Sequence, residues 1–339
     1  MAGQPLTESS GALAEPSLIA GLTRTKATAL RVAVVVVVLG ISLLAAEFSA
    51  RLVFRHAHSS GRAGDFVARR GGGPAIVTNH LGFREREIPA KIPGRYRIAI
   101  VGDSFTWGQG IEVGERYSNL LEDALGPGYE VLNFGRPGDD MPEHLDVLDQ
   151  ALATSPDFVL LQLYINDFET KQMQRPRPYP LLPASLDRTL EGSSLLYDLL
   201  NQQWASLQTA LGIVDSYEVY MAKNLRDPAD PSSRLAFGQL NEFLERARRA
   251  GVATGTVLFP ATDAMVANGS HYPFGYLHDR VALTCSNLGL RCLDLLPAFS
   301  TIRDPKSLWV SPFDAHPNAM ANKLAAREIL ARFGPLWRG

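Results

Sequence analysis

A serine hydroxyl is a weak nucleophile until a base, a group that orients the base, and donors for an oxyanion surround it. Ser104 stands where a chain could display such a group, in GDSFTWGQG (residues 102–110), directly after the apolar run YRIAIV. Gly102 lets a strand turn sharply at that point. The segment has no lysine at its end, which excludes a phosphate-binding GxxxxGK[ST] loop. Three later segments carry further reactive residue types: LNFGRPGDD (132–140), LYINDF (163–168) and SPFDAHPN (311–318).

The elements that must position them alternate. Apolar runs predict strands over 97–101, 129–134, 158–164, 254–259 and 291–295. Periodic segments predict helices over 117–125, 142–153, 234–250, 276–288 and 317–333. That is a doubly wound α/β pattern: a flavodoxin-like three-layer α/β/α sandwich with a five-stranded parallel sheet, in which reactive groups gather at the carboxyl ends of the strands. Residues 168–233 interrupt the alternation with RPRPYPLLP and then an amphipathic stretch. This insertion reads either as a mobile cap over the site or as a structural element packed against the domain's side.

The four segments, in this order, resemble the blocks of the SGNH hydrolase superfamily, also called GDSL esterases and lipases, over roughly residues 96–335 with the insertion excluded. The resemblance implies that Ser104 is the nucleophile, His316 the general base and Asp314 its orienting acid. The Ser104 N–H, the Gly138 N–H and the Asn166 side chain would form the oxyanion hole. Physical reasons stand beside each assignment. With no side chain at Gly138, its N–H can approach a substrate closely, and the Asn166 amide can donate a neutral hydrogen bond. Pro317 disfavours a helical conformation at His316, and in an extended segment residues 314 and 316 project to the same side. Pro317 also suits the first turn of a following helix.

Two departures matter. The common Asp-x-x-His spacing is replaced by Asp-x-His, because position 313 is Phe. Related polysaccharide acetyltransferase domains resemble this chain in that shorter spacing; Asp304 as the acid, or a Ser–His dyad, are the alternatives. In the third block Tyr164 stands where the family has glycine, so it either narrows the site as a substrate contact or packs under it. His56, His58, His80, His144, His271 and His278 lack metal-ligand spacing and read as surface or core residues. Asp103, Asp139, Asp140 and Asp167 could be drawn as a cation site, but hydrogen bonds to neighbouring loops are the simpler role. TNHLGFREREIP (78–89) resembles a stretch that precedes the first block in membrane-anchored bacterial members; it would dock as an edge strand or lie near the mouth of the site, and docking is preferred.

The chain has 339 residues and a net charge of -2, which offers nucleic acid no general attraction. Residues 1–28 read as a disordered tail. An uncharged apolar run, 32–46, lies between Arg31 and Glu47, and the segment 29–54 reads as a transmembrane anchor. A cleavable signal peptide is the competing reading, but no small-x-small site follows. Basic residues on both sides leave the orientation open by charge alone. Residues 55–94 read as a linker and docking segment, and 95–339 as the hydrolase domain. Cys285 and Cys292 either pair in an oxidising compartment or remain structural thiols.

The expectation is a membrane-anchored serine esterase or acyltransferase without cofactor or metal. Its substrate would be an acyl ester of a lipid or an O-acylated carbohydrate, with an envelope polysaccharide or a membrane acyltransferase as partner and the catalytic domain outside the cytoplasm. The alternative is a non-catalytic carbohydrate-binding or accessory module of a membrane acyltransferase system.

Overall fold

The computed structural model describes residues 24–53, 76–268, 271–311 and 314–338. The tail to residue 23, the GRAGDF and GGGP stretches, His56, His58 and Phe313 lie outside the described residues. The first element is α1 (Arg24–Val53). The domain then begins with β1 (Tyr96–Gly102), α2 (Ser104–Trp107), α3 (Tyr117–Leu125), β2 (Tyr129–Gly135), α4 (Met141–Ala153) and β3 (Phe158–Leu163). Three helices occupy the insertion: α5 (Ala184–Leu190), α6 (Leu195–Ala210) and α7 (Tyr217–Leu225). The alternation resumes with α8 (Pro231–Arg249), β4 (Ala253–Leu258), α9 (Thr262–Asn268), α10 (Gly275–Asn287), β5 (Arg291–Asp294) and α11 (Leu296–Phe299). A short hairpin of β6 (Trp309–Ser311) and β7 (Asp314–Pro317) precedes α12 (Ala319–Trp337).

The five-stranded sheet is parallel throughout, in the order β2-β1-β3-β4-β5. Its central strands are buried on both faces, which is why β1 and β3 read as continuous apolar runs. Successive side chains of β1 serve opposite layers. Ile98 and Ile100 join Leu121 of α3 and Ile329 and Phe333 of α12, while Ala99 and Val101 join Val147 of α4, Leu244 of α8 and Leu277 of α10. Each large apolar side chain so buried contributes about 1.5–3 kcal/mol, so both helical layers are needed to hold the sheet.

Three expectations are refined. Pro317 ends β7 rather than opening the last helix; Asn318 is the cap, accepting a hydrogen bond from the Ala321 N–H at 3.1 Å. Residues 78–89 dock without forming a strand, because the Asn79 carboxamide oxygen takes the Leu81 and Phe83 N–H groups, at 3.1 Å each, into a local turn. Phe83 is buried edge-on to Phe134, with ring centroids 5.0 Å apart. Arg84 donates to the Gly108 and Ile111 carbonyls at 2.7 and 2.8 Å, so the segment braces the loop that follows Ser104. The insertion divides. Tyr220, Met221 and Leu225 of α7 enter the core, whereas the amino end of α6 meets the far end of α1.

The stretch Lys26–Leu52 in α1, with mean hydropathy 2.6, is long and apolar enough to cross a membrane, as an anchor or as a signal sequence. Cys285 in α10 and Cys292 in β5 are placed as a disulfide with Cα atoms 6.1 Å apart, within the range such a bond spans.

Candidate active site

Strand order brings the first three blocks together. Ser104 follows β1, and β1 lies between β2 and β3, whose ends lead to Gly138 and Asn166. Neighbouring strands are about 4.8 Å apart, so the two loops flank the serine. Ser104 begins α2, a single helical turn, and Asp103 before it accepts a hydrogen bond from the Phe105 N–H at 2.9 Å. The turn is held from below. Thr106 donates to the Gln162 side chain at 2.7 Å and accepts from the Tyr117 hydroxyl at 2.6 Å. A Cβ at position 102 would collide with the Thr106 hydroxyl and the Gln162 carboxamide, so only glycine fits there.

The fourth block arrives on the hairpin. Gly110 has φ +76°, and a Cβ there would lie 2.5 Å from Val310 of β6; glycine therefore lets the loop after Ser104 nest against the strand that pairs with β7. His316 Nε2 then lies 2.9 Å from Ser104 Oγ, and His316 Nδ1 lies 2.5 Å from Asp314 Oδ1. The same carboxylate oxygen accepts from the His316 backbone N–H at 3.1 Å. Asp314 thus fixes the tautomer with hydrogen on Nδ1, which leaves Nε2 free to accept a proton from the serine. Ser104 is buried, while the His316 side chain retains 26% exposure, enough for a substrate to reach it.

Asp304, the other acid considered, is exposed and caps the 3-10 turn Pro305–Leu308 by accepting from the Lys306 N–H at 3.1 Å. It is spent on that turn, away from the imidazole's hydrogen bonds. Gly138 sits at φ +80° in a loop braced by the Arg136–Asp139 ion pair at 2.8 Å. Asn166 lies in the 3-10 turn Ile165–Phe168, and among the described residues its buried Oδ1 has no hydrogen-bond partner, so that oxygen is not spent on holding the fold. Tyr164 is half-buried, its ring centroid 4.4 Å from that of Phe105, and Phe105 in turn lies 5.5 Å from the His316 ring. Packing beside the serine is therefore what its contacts describe.

Two residues read from the sequence only in core and hydrogen-bonding roles, and not as a pair, support the third block. His144 of α4 is buried and its Nε2 lies 3.2 Å from Asp167 Oδ1, while Asp167 Oδ2 accepts from the Tyr164 N–H at 2.6 Å. Burial pushes the Asp167 carboxyl well above the ordinary range and holds the His144 imidazole below its own, so the pair is a neutral brace for the turn carrying Asn166. No signal in the sequence links positions 23 apart in this way; only the α4–β3 crossover does. A second His–Asp pair, His278 with Asp294 at 2.9 Å, has Tyr272 rather than a serine on its other nitrogen. Among the described residues, no three His, Cys, Asp or Glu side chains are grouped so as to hold a metal ion.

Asp103 has an unusual charge environment. Burial pushes its carboxyl up to about 7, and among the described residues its Oδ2 has no hydrogen-bond partner. An acid whose folded value is raised opposes folding once it ionises, so wild-type stability should fall as pH rises from about 4 through about 7. Asp103→Asn keeps an oxygen for the Phe105 N–H and cannot ionise. In denaturant melts at pH 4 and pH 8 it should gain on wild type by on the order of 2–4 kcal/mol at the higher pH. Parallel stability curves across that window would show that Asp103 is not the strained acid.

Comparison with known proteins shows the family. Residues 100–324 match the model of the GDSL-like Lipase/Acylhydrolase family. No curated protein matches the chain. Among solved structures, it is similar to a lipolytic protein of the G-D-S-L family from Veillonella parvula DSM 2008, at 14% identity and TM-score 0.45, over 70% of this chain and 98% of that one. It is also similar to the psychrotrophic esterase EstA from Pseudoalteromonas sp., at 15% identity and TM-score 0.41, over 72% of this chain and 99% of that one. The family model spans well over half of the sequence, and the chain therefore belongs to the GDSL-like lipase/acylhydrolase family and is a hydrolase that acts on esters.

Proposed function

We propose that the chain is a membrane-anchored serine esterase or acyltransferase whose relay is Ser104, His316 and Asp314. The observation that carries this reading is the continuous hydrogen-bonded line from Ser104 Oγ through both ring nitrogens of His316 to Asp314. His316 Nε2 takes the Ser104 proton as Oγ attacks the ester carbonyl, and the imidazolium so formed is stabilised by Asp314. The tetrahedral oxyanion is held by the Ser104 N–H, the Gly138 N–H and the Asn166 carboxamide. Collapse breaks the carbon–oxygen bond to the alcohol, which leaves with the proton from His316, and the acyl group stays on Oγ. Water, or a sugar hydroxyl in a transferase, then gives its proton to His316 as its oxygen attacks the acyl carbonyl; the bond to Oγ breaks, Ser104 takes the proton back from His316, and the acyl group leaves as an acid or a new ester. O-acylated carbohydrate and lipid esters are the substrate classes in view. An accessory role without catalysis is not favoured, because the relay is intact.

The anchor reading of α1 draws support from contacts that a signal peptidase would sever: Glu47 of α1 is hydrogen-bonded to the start of α6. The placement of Cys285 and Cys292 as a disulfide supports a domain on the oxidising, extracytoplasmic side. One experiment tests function and side together. A membrane-impermeant fluorophosphonate applied to intact cells should label the protein, and the purified chain should release nitrophenol from short-chain esters. Labelling only after lysis would contradict the side, and neither labelling nor release at any stage would contradict the enzyme.

A further inference from the structure

The insertion carries an apolar surface that the catalytic reading does not use. On α6, Leu200, Leu207 and Leu211 are exposed, and the half-buried Leu196 and Trp204 continue the same stripe at helical spacings of three and four. Tyr179 and Leu181 in the preceding segment and Leu186 of α5 are exposed as well. Lys171 and Arg177 are exposed in the same segment, whereas Arg175 lies over the Tyr217 ring and 3.9 Å from Glu169; no acidic residue occurs from 170 to 186. An exposed apolar stripe with cations and a tyrosine at its border is the composition of a helix lying in a bilayer interface.

The depth at which α6 begins is set by α1. Glu47 is the first charged residue after the apolar run 32–46, so in a membrane-spanning α1 it lies where the hydrocarbon layer gives way to headgroups. Its carboxylate accepts from the Ser194 hydroxyl at 2.8 Å and from the Leu195 and Leu196 N–H groups at 3.1 and 2.8 Å, the free donors at the start of α6. Arg51, one turn further, is bonded to Glu47 at 2.5 Å and donates to the Ser193 carbonyl at 2.7 Å. The helix with the apolar stripe is thereby pinned at headgroup level.

We propose that α5, α6 and the basic segment before them lie on the lipid bilayer around α1, with the leucine stripe in the upper acyl region and Lys171 and Arg177 toward anionic headgroups. This rests on the reading of α1 as an anchor. It makes the insertion a membrane-seated foot of the domain, and it holds the site of Ser104 at a fixed height over the bilayer.

The test uses the full chain in vesicles containing anionic phospholipid, with nitroxides attached at Leu200→Cys, Leu207→Cys and, as a reference, Leu336→Cys at the exposed end of α12. At 200 and 207 the ratio of relaxation by oxygen to relaxation by a water-soluble nickel complex should be several-fold higher than at 336. In a Glu47→Ala background the protein should still float with the vesicles while that ratio falls toward the value at 336. Ratios at 200 and 207 equal to that at 336 in wild-type chain that floats would overturn the proposal and leave the anchor reading standing. Shielding from both relaxants would overturn it in favour of a protein partner or a second copy on this face. Failure to float after carbonate extraction would remove the anchor reading, and this proposal with it.

Discussion

Ser104→Ala should reduce kcat for ester hydrolysis by on the order of 10^4-fold or more, with KM changed little, and should abolish fluorophosphonate labelling. The loss is confined to chemistry because, among the described residues, the hydrogen bond of the Ser104 side chain goes to His316. The backbone bonds of α2, from the Trp107 N–H to Asp103 and from the Gly108 N–H to Ser104, do not involve the hydroxyl. Alanine also suits a helical turn. A melting temperature close to wild type, measured on the same preparation, separates a lost nucleophile from a lost fold. Full activity in this variant would remove Ser104 from the mechanism.

The second large effect concerns the acid. Asp314→Asn should lower kcat by about 10^4-fold, because the amide can present N–H rather than oxygen to His316 Nδ1. The imidazole would then carry its hydrogen on Nε2 and could not accept the serine proton. Asp304→Asn is the matched control. It keeps a side-chain oxygen for the Lys306 N–H, so it should leave the rate unchanged and alter stability by less than about 1 kcal/mol. Comparing both rates on one nitrophenyl ester decides between the acids; a collapse in the Asp304 variant alone would show that the short Asp-x-His spacing has misled the reading.

Much of the fold was legible because parallel strands buried on both faces leave apolar runs that turn residues bound sharply. The strands expected over 97–101 and 129–134 appear as Tyr96–Gly102 and Tyr129–Gly135. The first three reactive segments were legible for a related reason: each lies within a few residues of a strand end, so local spacing carries them. What stayed hidden depends on distance along the chain. The hairpin that delivers His316 has strands of only three and four residues, too short to show alternation, and the last helix is capped by Asn318, with Pro317 before it rather than in its first turn. His144 meets Asp167 only through a crossover, and Glu47 meets Ser194 across 147 positions. The insertion was the least readable because its helices answer to α1 and to solvent as well as to the core.

The bracing of the loop after Ser104 by Arg84 bears on how the domain can be cut from its anchor. A truncation at residue 95, the boundary suggested by the first strand, would remove Phe83 from its place on Phe134 and free the Gly108 and Ile111 carbonyls. It would also strip Arg86 from Glu122 on α3. A soluble form that keeps residues 78–95 should therefore show a higher rate than one that begins at residue 95, because the second would leave the loop after Ser104 unbraced.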